Sequence, residues 1–153
     1  MGIGYGLQCN KCNYHKDILL GIGMLYMQEG LFAKSNGRKS LFEELVKSPK
    51  IRNHTYYLMD EKQGHFVDDY GRELYYCEKC SSIYNHFYYK VLYQDGEYEP
   101  DYKCSKCKHS LQILKFEDSA DTPISDQEGK HITLYCPRCT EGILGKSHTI
   151  LWD

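Results

Sequence analysis

Eight cysteines in four C-x-x-C pairs constrain this chain of 153 residues more than any other feature. The pairs are Cys9 with Cys12, Cys77 with Cys80, Cys104 with Cys107, and Cys136 with Cys139. A disulfide framework spreads its cysteines to connect distant loops, which gives no reason to place every cysteine near another. The N-terminus lacks the apolar segment of a secretion signal, and no stretch is long enough to span a membrane. We therefore expect a cytoplasmic protein with reduced thiols.

Metal binding explains the cysteine pattern better than redox chemistry does. A tight C-x-x-C turn, or knuckle, directs two sulfurs at one ion, and a second knuckle completes a tetrahedron. Four knuckles predict two closed sites, with all eight cysteines as ligands. A redox motif would need a C-x-x-C at a strand-to-helix junction, and no helical pattern follows any of the four pairs. Because a closed site has no open position for substrate, we predict no catalytic residue and no enzyme activity.

Zinc is the expected metal, at two ions per chain, because it favours tetrahedral thiolates and has no redox chemistry of its own. Iron is the alternative. The segment Cys136-Pro137-Arg138-Cys139 resembles the C-P-x-C knuckle of rubredoxins, in which four thiolates hold one iron. That resemblance implies an electron-transfer protein, and spacing alone does not separate the two metals.

The charge balance argues against a nucleic-acid binder that works through a bulk positive field. The formal net charge is -2, and two zinc sites of four thiolates would bring it to about -6. Basic residues nevertheless occur inside the knuckles, at Lys11, Lys79, Lys106 and Arg138. They could form a phosphate-binding surface, but we expect them to offset the thiolate charge.

The four knuckles resemble those of the zinc-ribbon (rubredoxin-like) superfamily. Their order, with a glycine-rich N-terminal strand and Ile150-Leu151-Trp152-Asp153, is similar to that of small uncharacterised bacterial zinc-ribbon proteins. The resemblance covers the knuckles and their flanks, not residues 25–69. It implies a small metal-bound β-rich (α+β) fold, with tandem ribbons of antiparallel hairpins and two metal sites. It implies no reaction, because ribbons occur in many unrelated proteins.

The residue after the second cysteine of a ribbon knuckle is typically glycine, because a positive φ is favoured there. In this chain those positions hold Asn13, Ser81, Lys108 and Thr140. Asparagine tolerates a positive φ more readily than the other three.

Two pairings of the knuckles are open on the residues alone. The tyrosine-rich segment between the second and third knuckles reads as a hairpin, which favours joining those two and leaving the first and fourth to meet. Loop-closure entropy differs too little to decide. The resemblance to tandem ribbons implies sequential pairing, which we take as the expectation. It divides the chain into an N-terminal unit with a helical insertion, residues 1–100, and a C-terminal ribbon, residues 101–153.

Local patterns predict the elements around the knuckles. Residues 3–8 and 14–22 read as a hairpin whose glycines let the backbone approach the metal site. Ser40-Leu41-Phe42-Glu43 is a capping box that begins one short helix, and Pro49 is expected to end it. Residues 117–129 are polar and acidic, which predicts a loop between strands at 110–116 and 131–135.

A second hairpin is predicted around Asp95-Gly96, from strands at 87–93 and 98–104. This register pairs Tyr93 with Tyr98 and Tyr89 with Tyr102 on one aromatic face. Such a face could stack bases, but we expect it to form core in a chain with 15 tyrosines. The expected function is therefore non-enzymatic binding of a protein or nucleic-acid partner, and the oligomeric state is left open.

Overall fold

Short antiparallel strands and three helices make up the residues that the computed structural model describes, which are 2–23, 27–34, 37–116 and 124–153. In chain order the elements are β1 (Gly2–Cys9), β2 (His15–Leu20), α1 (Gln28–Leu31), α2 (Leu41–Leu45), α3 (Pro49–Glu61), β3 (His65–Phe66), β4 (Gly71–Tyr76), β5 (Ile83–Tyr88), β6 (Val91–Tyr93), β7 (Gly96–Tyr98), β8 (Gln112–Phe116), β9 (Ile124–Asp126), β10 (His131–Ile132) and β11 (Leu144–Trp152). The fold is β-rich, as the sequence predicts.

The first sheet joins the two ends of the described chain. Its strand order is β11-β1-β2, and all pairs are antiparallel. The hairpin of β1 and β2 confirms the prediction for this segment. The partner on the other side of β1 comes from the far end of the sequence, with Gly2 opposite Trp152 and Cys9 opposite Leu144. This pairing brings the first and fourth knuckles to the same end of the sheet.

Glycines in β1 make room for side chains of β11 rather than for a metal site. A Cβ atom on Gly2 would overlap the Trp152 ring, and one on Gly6 would overlap the His148 ring. The expectation that these glycines let the backbone approach the metal was therefore wrong. The glycine that meets the cysteines is Gly142, in the turn after the fourth knuckle.

The second sheet has the order β10-β9-β8-β4-β5 and carries the second and third knuckles. Strand β8 pairs with β4 on one side and with β9 on the other, so it does not pair directly with β10 as a simple C-terminal ribbon would require. Residues 117–123 of the predicted acidic loop lie outside the described residues. The rest of that loop contains β9, which pairs with both β8 and β10.

Asn85 connects the first two sheets. Its side-chain amide donates to the carbonyl oxygens of Leu19 (2.8 Å) and Glu73 (3.0 Å), and its Oδ1 accepts from the Leu19 N–H at 3.2 Å. Reciprocal backbone hydrogen bonds between Gly21 and Arg72, at 2.9 and 2.8 Å, extend the connection. Between the sheets lies one core cluster: Leu7, Cys9, Ile18, Leu74, Tyr76, Ile83, Leu114, Leu134, Cys136 and Leu144.

Replacing Asn85 by alanine is expected to lower the free energy of unfolding by about 2 kcal/mol, because it leaves backbone groups of β2 and β4 without their partner. Chemical denaturation measures the change. Asn53→Ala is the control, since Asn53 is exposed on α3. Equal stability of the two variants would contradict a connecting role for Asn85.

Helix α2 confirms the capping box, but the helical segment is longer than predicted. The Ser40 hydroxyl accepts from the Glu43 N–H at 3.3 Å, and the Glu43 carboxylate accepts from the Ser40 N–H at 3.2 Å. Pro49 does not end the helical region. It occupies the first turn of α3, where its missing N–H costs no hydrogen bond. The prediction of one short helix was therefore wrong.

A second core lies between the helices and the third sheet, which has the order β3-β6-β7. Its buried members are Leu31, Phe42, Val46, Leu58, Phe66, Phe87, Tyr89 and Val91. Tyr89 stacks on Phe66 with ring centroids 4.9 Å apart, and its hydroxyl lies 2.7 Å from the Thr55 hydroxyl. None of the described helices is long and apolar enough to cross a membrane.

The tyrosine hairpin exists with a register shifted by two residues from the predicted one. Tyr93 lies opposite Gly96 and Val91 opposite Tyr98, so the turn falls at Gln94-Asp95. A shift of two keeps each side chain on its predicted face. Tyr89 and Tyr102 are 0% and 6% exposed, which confirms that these two rings are core.

Candidate metal centres

The structure brings the eight cysteines into two clusters of four, each able to hold a metal ion. In both clusters all four Sγ atoms lie within 4.8 Å of one another. The first metal centre combines the first and fourth knuckles: Cys9, Cys12, Cys136 and Cys139. The second metal centre combines the second and third knuckles: Cys77, Cys80, Cys104 and Cys107. The expected sequential pairing was therefore wrong, which removes the reason for dividing the chain between residues 100 and 101.

The sulfur separations fit tetrahedral coordination by thiolates. Metal–sulfur bonds of about 2.3 Å in a regular tetrahedron place the sulfurs about 3.8 Å apart. In the first centre, Cys9 to Cys139 and Cys12 to Cys136 are both 3.7 Å. In the second centre the recorded separations are 3.3, 3.5 and 3.8 Å. These cysteines are free thiols, and the first cysteine of every knuckle is buried while the second is partly exposed.

Strand pairing and an asparagine bridge hold the first centre together. Asn10 donates its N–H to the Ile143 carbonyl at 3.1 Å, and its Oδ1 accepts from the Ile143 N–H at 2.9 Å. The Arg138 guanidinium donates to the Asn13 side chain at 2.7 Å. These bonds connect two knuckles that are 124 to 130 residues apart in the chain. They therefore form only when the ends of the described chain meet.

Backbone N–H groups point at the sulfurs of the first centre. Lys11 donates to the Cys9 sulfur at 3.3 Å, Arg138 to the Cys136 sulfur at 3.4 Å, and Gly142 to the Cys139 sulfur at 3.3 Å. Such bonds stabilise the ionised thiolate. The arrangement suits the deprotonated form that binds metal.

Hydroxyl groups surround the second centre. The Tyr84 hydroxyl lies 3.2 Å from the Cys104 sulfur and 2.9 Å from the Ser105 hydroxyl, and it accepts from the Ser105 N–H. The Ser82 hydroxyl lies 3.3 Å from the Cys80 sulfur. Sequence reasoning missed both partners. Ser82 lies two residues after Cys80, and Tyr84 lies on β5, the strand that follows this knuckle. These positions alone gave only a weak indication that the two hydroxyls contact the sulfurs.

Thiols within one cluster differ in pKa because they share protons. In the second centre, burial and then the hydrogen bond with Cys107 raise the pKa of Cys77 to about 12. Burial also raises the pKa of Cys104, but hydrogen bonds from Tyr84 and from the backbone of Cys107 and Lys106 lower it to about 5. A bound cation removes the need to share protons, so metal binding here is coupled to proton release.

The same contrast occurs in the first centre. A backbone hydrogen bond at Tyr14 lowers the pKa of Cys12, but burial and the neighbouring thiols raise it to about 12. Backbone hydrogen bonds, led by that of Gly142, lower the pKa of Cys139 to about 7 against the effect of burial. Both centres thus hold some thiols ready to ionise beside others that need a cation to do so.

Three of the four knuckles end in a left-handed residue. The φ angles of Ser81, Lys108 and Thr140 are 56°, 62° and 61°. Their N–H groups donate to the carbonyl of the first cysteine of the knuckle, at 2.8 to 3.0 Å. Asn13, the residue best suited to a positive φ, does not adopt one. The ribbon-like knuckle geometry therefore forms without glycine, and threonine is the least suited residue because it is β-branched.

Replacing Thr140 by glycine is expected to raise the free energy of unfolding by about 1 kcal/mol, because glycine adopts a positive φ without strain. Thermal unfolding of the metal-loaded protein measures the change. Thr149→Gly is the control: Thr149 is exposed in β11, where glycine should destabilise the strand. A lower melting temperature for Thr140→Gly would contradict the strain argument.

Basic side chains from two knuckles and from β2 meet in a groove between the two centres. Lys16, Lys106 and Arg138 line it, and its volume is about 550 Å³. The Lys16 ammonium donates to the Ile83 carbonyl at 2.6 Å, and Arg138 is held by Asn13. Two of the three cations are therefore engaged in the fold. The expectation that the knuckle cations offset thiolate charge stays a prediction.

No protein-family model, curated protein or solved structure matches this chain. The two clusters of four cysteines are consistent with zinc-ribbon-like knuckles on the geometry alone.

Proposed function

We propose that this protein is a non-enzymatic binding module, held together by two structural zinc ions and directed at a protein partner. The observation that carries the proposal is the collection of all eight cysteines into two four-thiol clusters with tetrahedral spacing. A site of four thiolates has no open position for a substrate or an activated water. Zinc suits such a site and adds stability without electron transfer.

A metal ion in the first centre would stabilise a core that has few aliphatic residues. The first centre contributes Cys9 and Cys136 to the core between the two sheets. Binding a structural metal is folding free energy, because the site does not exist in the unfolded chain. We therefore assign both ions a structural role.

A protein partner is favoured over a nucleic acid by the burial of two hairpin rings and by charge. Base stacking needs exposed aromatic faces next to cations. The hairpin rings of Tyr89 and Tyr102 are buried instead. With two zinc sites the net charge is about -6, which opposes a polyanion.

Elemental analysis of the freshly purified protein tests the metal. Two zinc ions per chain are expected, and a strong chelator is expected to remove cooperative unfolding. A red protein that contains iron and undergoes reversible reduction would instead establish the rubredoxin-like electron-transfer alternative. A metal-free protein with unchanged thermal stability would contradict a structural role for either metal.

Titration with single-stranded DNA and RNA at low salt tests the partner class. We expect no saturable binding by fluorescence anisotropy. Tight binding that weakens steeply with salt would assign a nucleic-acid partner instead, because phosphate contacts release counterions.

A further inference from the structure

An acidic pocket opens beside the second sheet, and no cysteine lines it. Its volume is about 540 Å³, within the range of small-ligand sites. The charged side chains that line it are five carboxylates and one ammonium: Glu78, Glu99, Asp101, Asp126, Glu128 and Lys130. The lining therefore carries a formal charge of -4. It combines β4, the segment after β7 and the β9–β10 turn.

A buried hydroxyl without a partner lies in the wall of this pocket. Tyr75 is 3% exposed, and its hydroxyl has no hydrogen-bond partner among the described residues. Buried polar groups are almost always bonded, so such an exception calls for an explanation. The neighbouring tyrosines differ in this respect. Tyr102 donates to the Phe87 carbonyl at 2.7 Å, and Tyr88 donates to Glu99 at 3.2 Å.

The charge around Tyr75 favours a ligand that donates hydrogen bonds. The oxygen of the Tyr75 hydroxyl has lone pairs that can accept a hydrogen bond, and five carboxylates line the same pocket. A cation could donate to that oxygen while the carboxylates balance its charge.

The carboxylates are too far apart for a metal ion. Within the described residues, only the two cysteine clusters place three or more potential ligand atoms within 4.8 Å of one another. Five carboxylates spread around a pocket of this size suit a larger cation with several donors. The partly exposed ring of Tyr88 in the lining adds a face that attracts organic cations.

We propose that the acidic pocket binds an organic cation with primary ammonium groups, which donates to the Tyr75 hydroxyl and pairs with the surrounding carboxylates. Glu78 and Glu128 are the anchoring charges, because neither forms an ion pair within the described part of the chain. Two sources share this chemistry: a free polyamine, and a lysine side chain of a protein partner. The second source rests on the proposed binding function.

Isothermal titration calorimetry with spermidine and with a short lysine-containing peptide tests the proposal on the metal-loaded protein. Saturable binding at one site is expected, and a neutral diol of matched length should not bind. Tighter binding of the peptide would assign a protein partner, and tighter binding of spermidine a free polyamine. Absence of binding by both probes would overturn the proposal.

Three variants locate the site. Tyr75→Phe removes only the hydroxyl and should weaken binding about tenfold, the scale of one hydrogen bond to a charged group. Glu128→Gln should weaken it severalfold and reduce its salt dependence. Glu61→Gln removes the same charge at the end of α3, outside the pocket, and should change nothing. Equal effects of the two glutamine variants, or none from Tyr75→Phe, would refute the pocket as the site.

Metal content and cooperative unfolding are measured on the same samples. A protein with two zinc ions that binds neither probe overturns the pocket alone. A protein that is folded without metal contradicts the proposed structural zinc sites. The calorimetric titrations with spermidine and the peptide can still be interpreted in that case.

Discussion

A chain that carries Cys77→Ser and Cys104→Ser is expected to retain one tightly bound metal ion. Both substitutions fall in the second metal centre, so the four thiols of the first centre stay complete. A chain with Cys104→Ser and Cys136→Ser is expected to retain none against a competing chelator. There each centre loses one thiolate, and sharing a binding free energy of about 10–16 kcal/mol among four ligands makes each worth roughly 3 kcal/mol.

These two double variants distinguish the observed grouping from sequential pairing, because sequential pairing predicts the opposite result. Under it, Cys104 and Cys136 would share one site, and their joint loss would spare the other. Metal content after dialysis against the chelator gives the readout. Circular dichroism on the same samples shows whether the retained ion still supports folded structure. One ion left in the Cys104→Ser, Cys136→Ser chain would contradict the grouping.

Replacing Gly142 by alanine is expected to reduce the metal content from two ions to one. A Cβ atom at this position would overlap the Cys9 sulfur and lie 3.2 Å from the Cys139 sulfur. The backbone around Gly142 cannot move away freely, because its N–H bonds the Cys139 sulfur and its carbonyl accepts from the Cys136 N–H at 2.7 Å. The sulfur must shift instead, which distorts the first centre.

Gly145→Ala is the matched control for this substitution. Gly145 lies three residues further on in β11, and a Cβ atom there would meet nothing within 4 Å. We expect two metal ions and unchanged cooperative unfolding in the control. Two tightly held ions in the Gly142→Ala chain would contradict the close approach.

The eight cysteines of the candidate sites could be predicted from the sequence, but which knuckles share a site could not. C-x-x-C spacing is a local property, and it correctly predicted four knuckles. Which knuckles meet depends on contacts between residues far apart, such as Cys9 opposite Leu144. The entropy of loop closure varies too weakly with length to separate the two pairings. The close approach of Gly142 to the Cys9 sulfur became clear only in the structure, because it depends on the same long-range pairing.

Helices α2 and α3 show a different limit of prediction from the sequence. Helix α3 contains only two buried residues, Thr55 and Leu58, so its apolar periodicity is faint. Pro49 is compatible with the end of one helix and equally with the first turn of the next, so the residue alone does not distinguish the two. The capping box before α2 was predictable because it involves two side chains three residues apart. Local chemistry was therefore a better guide than hydrophobic pattern in this chain.

The pairing of β1 with β11 sets an order for assembly during synthesis. The second metal centre is complete once residue 107 has left the ribosome, since all four of its cysteines lie within 31 positions of sequence. The first centre must wait for Cys139, and until then β1 has only β2 as a neighbour. Cys9 and Cys12 therefore remain an incomplete metal site until the fourth knuckle has been synthesised.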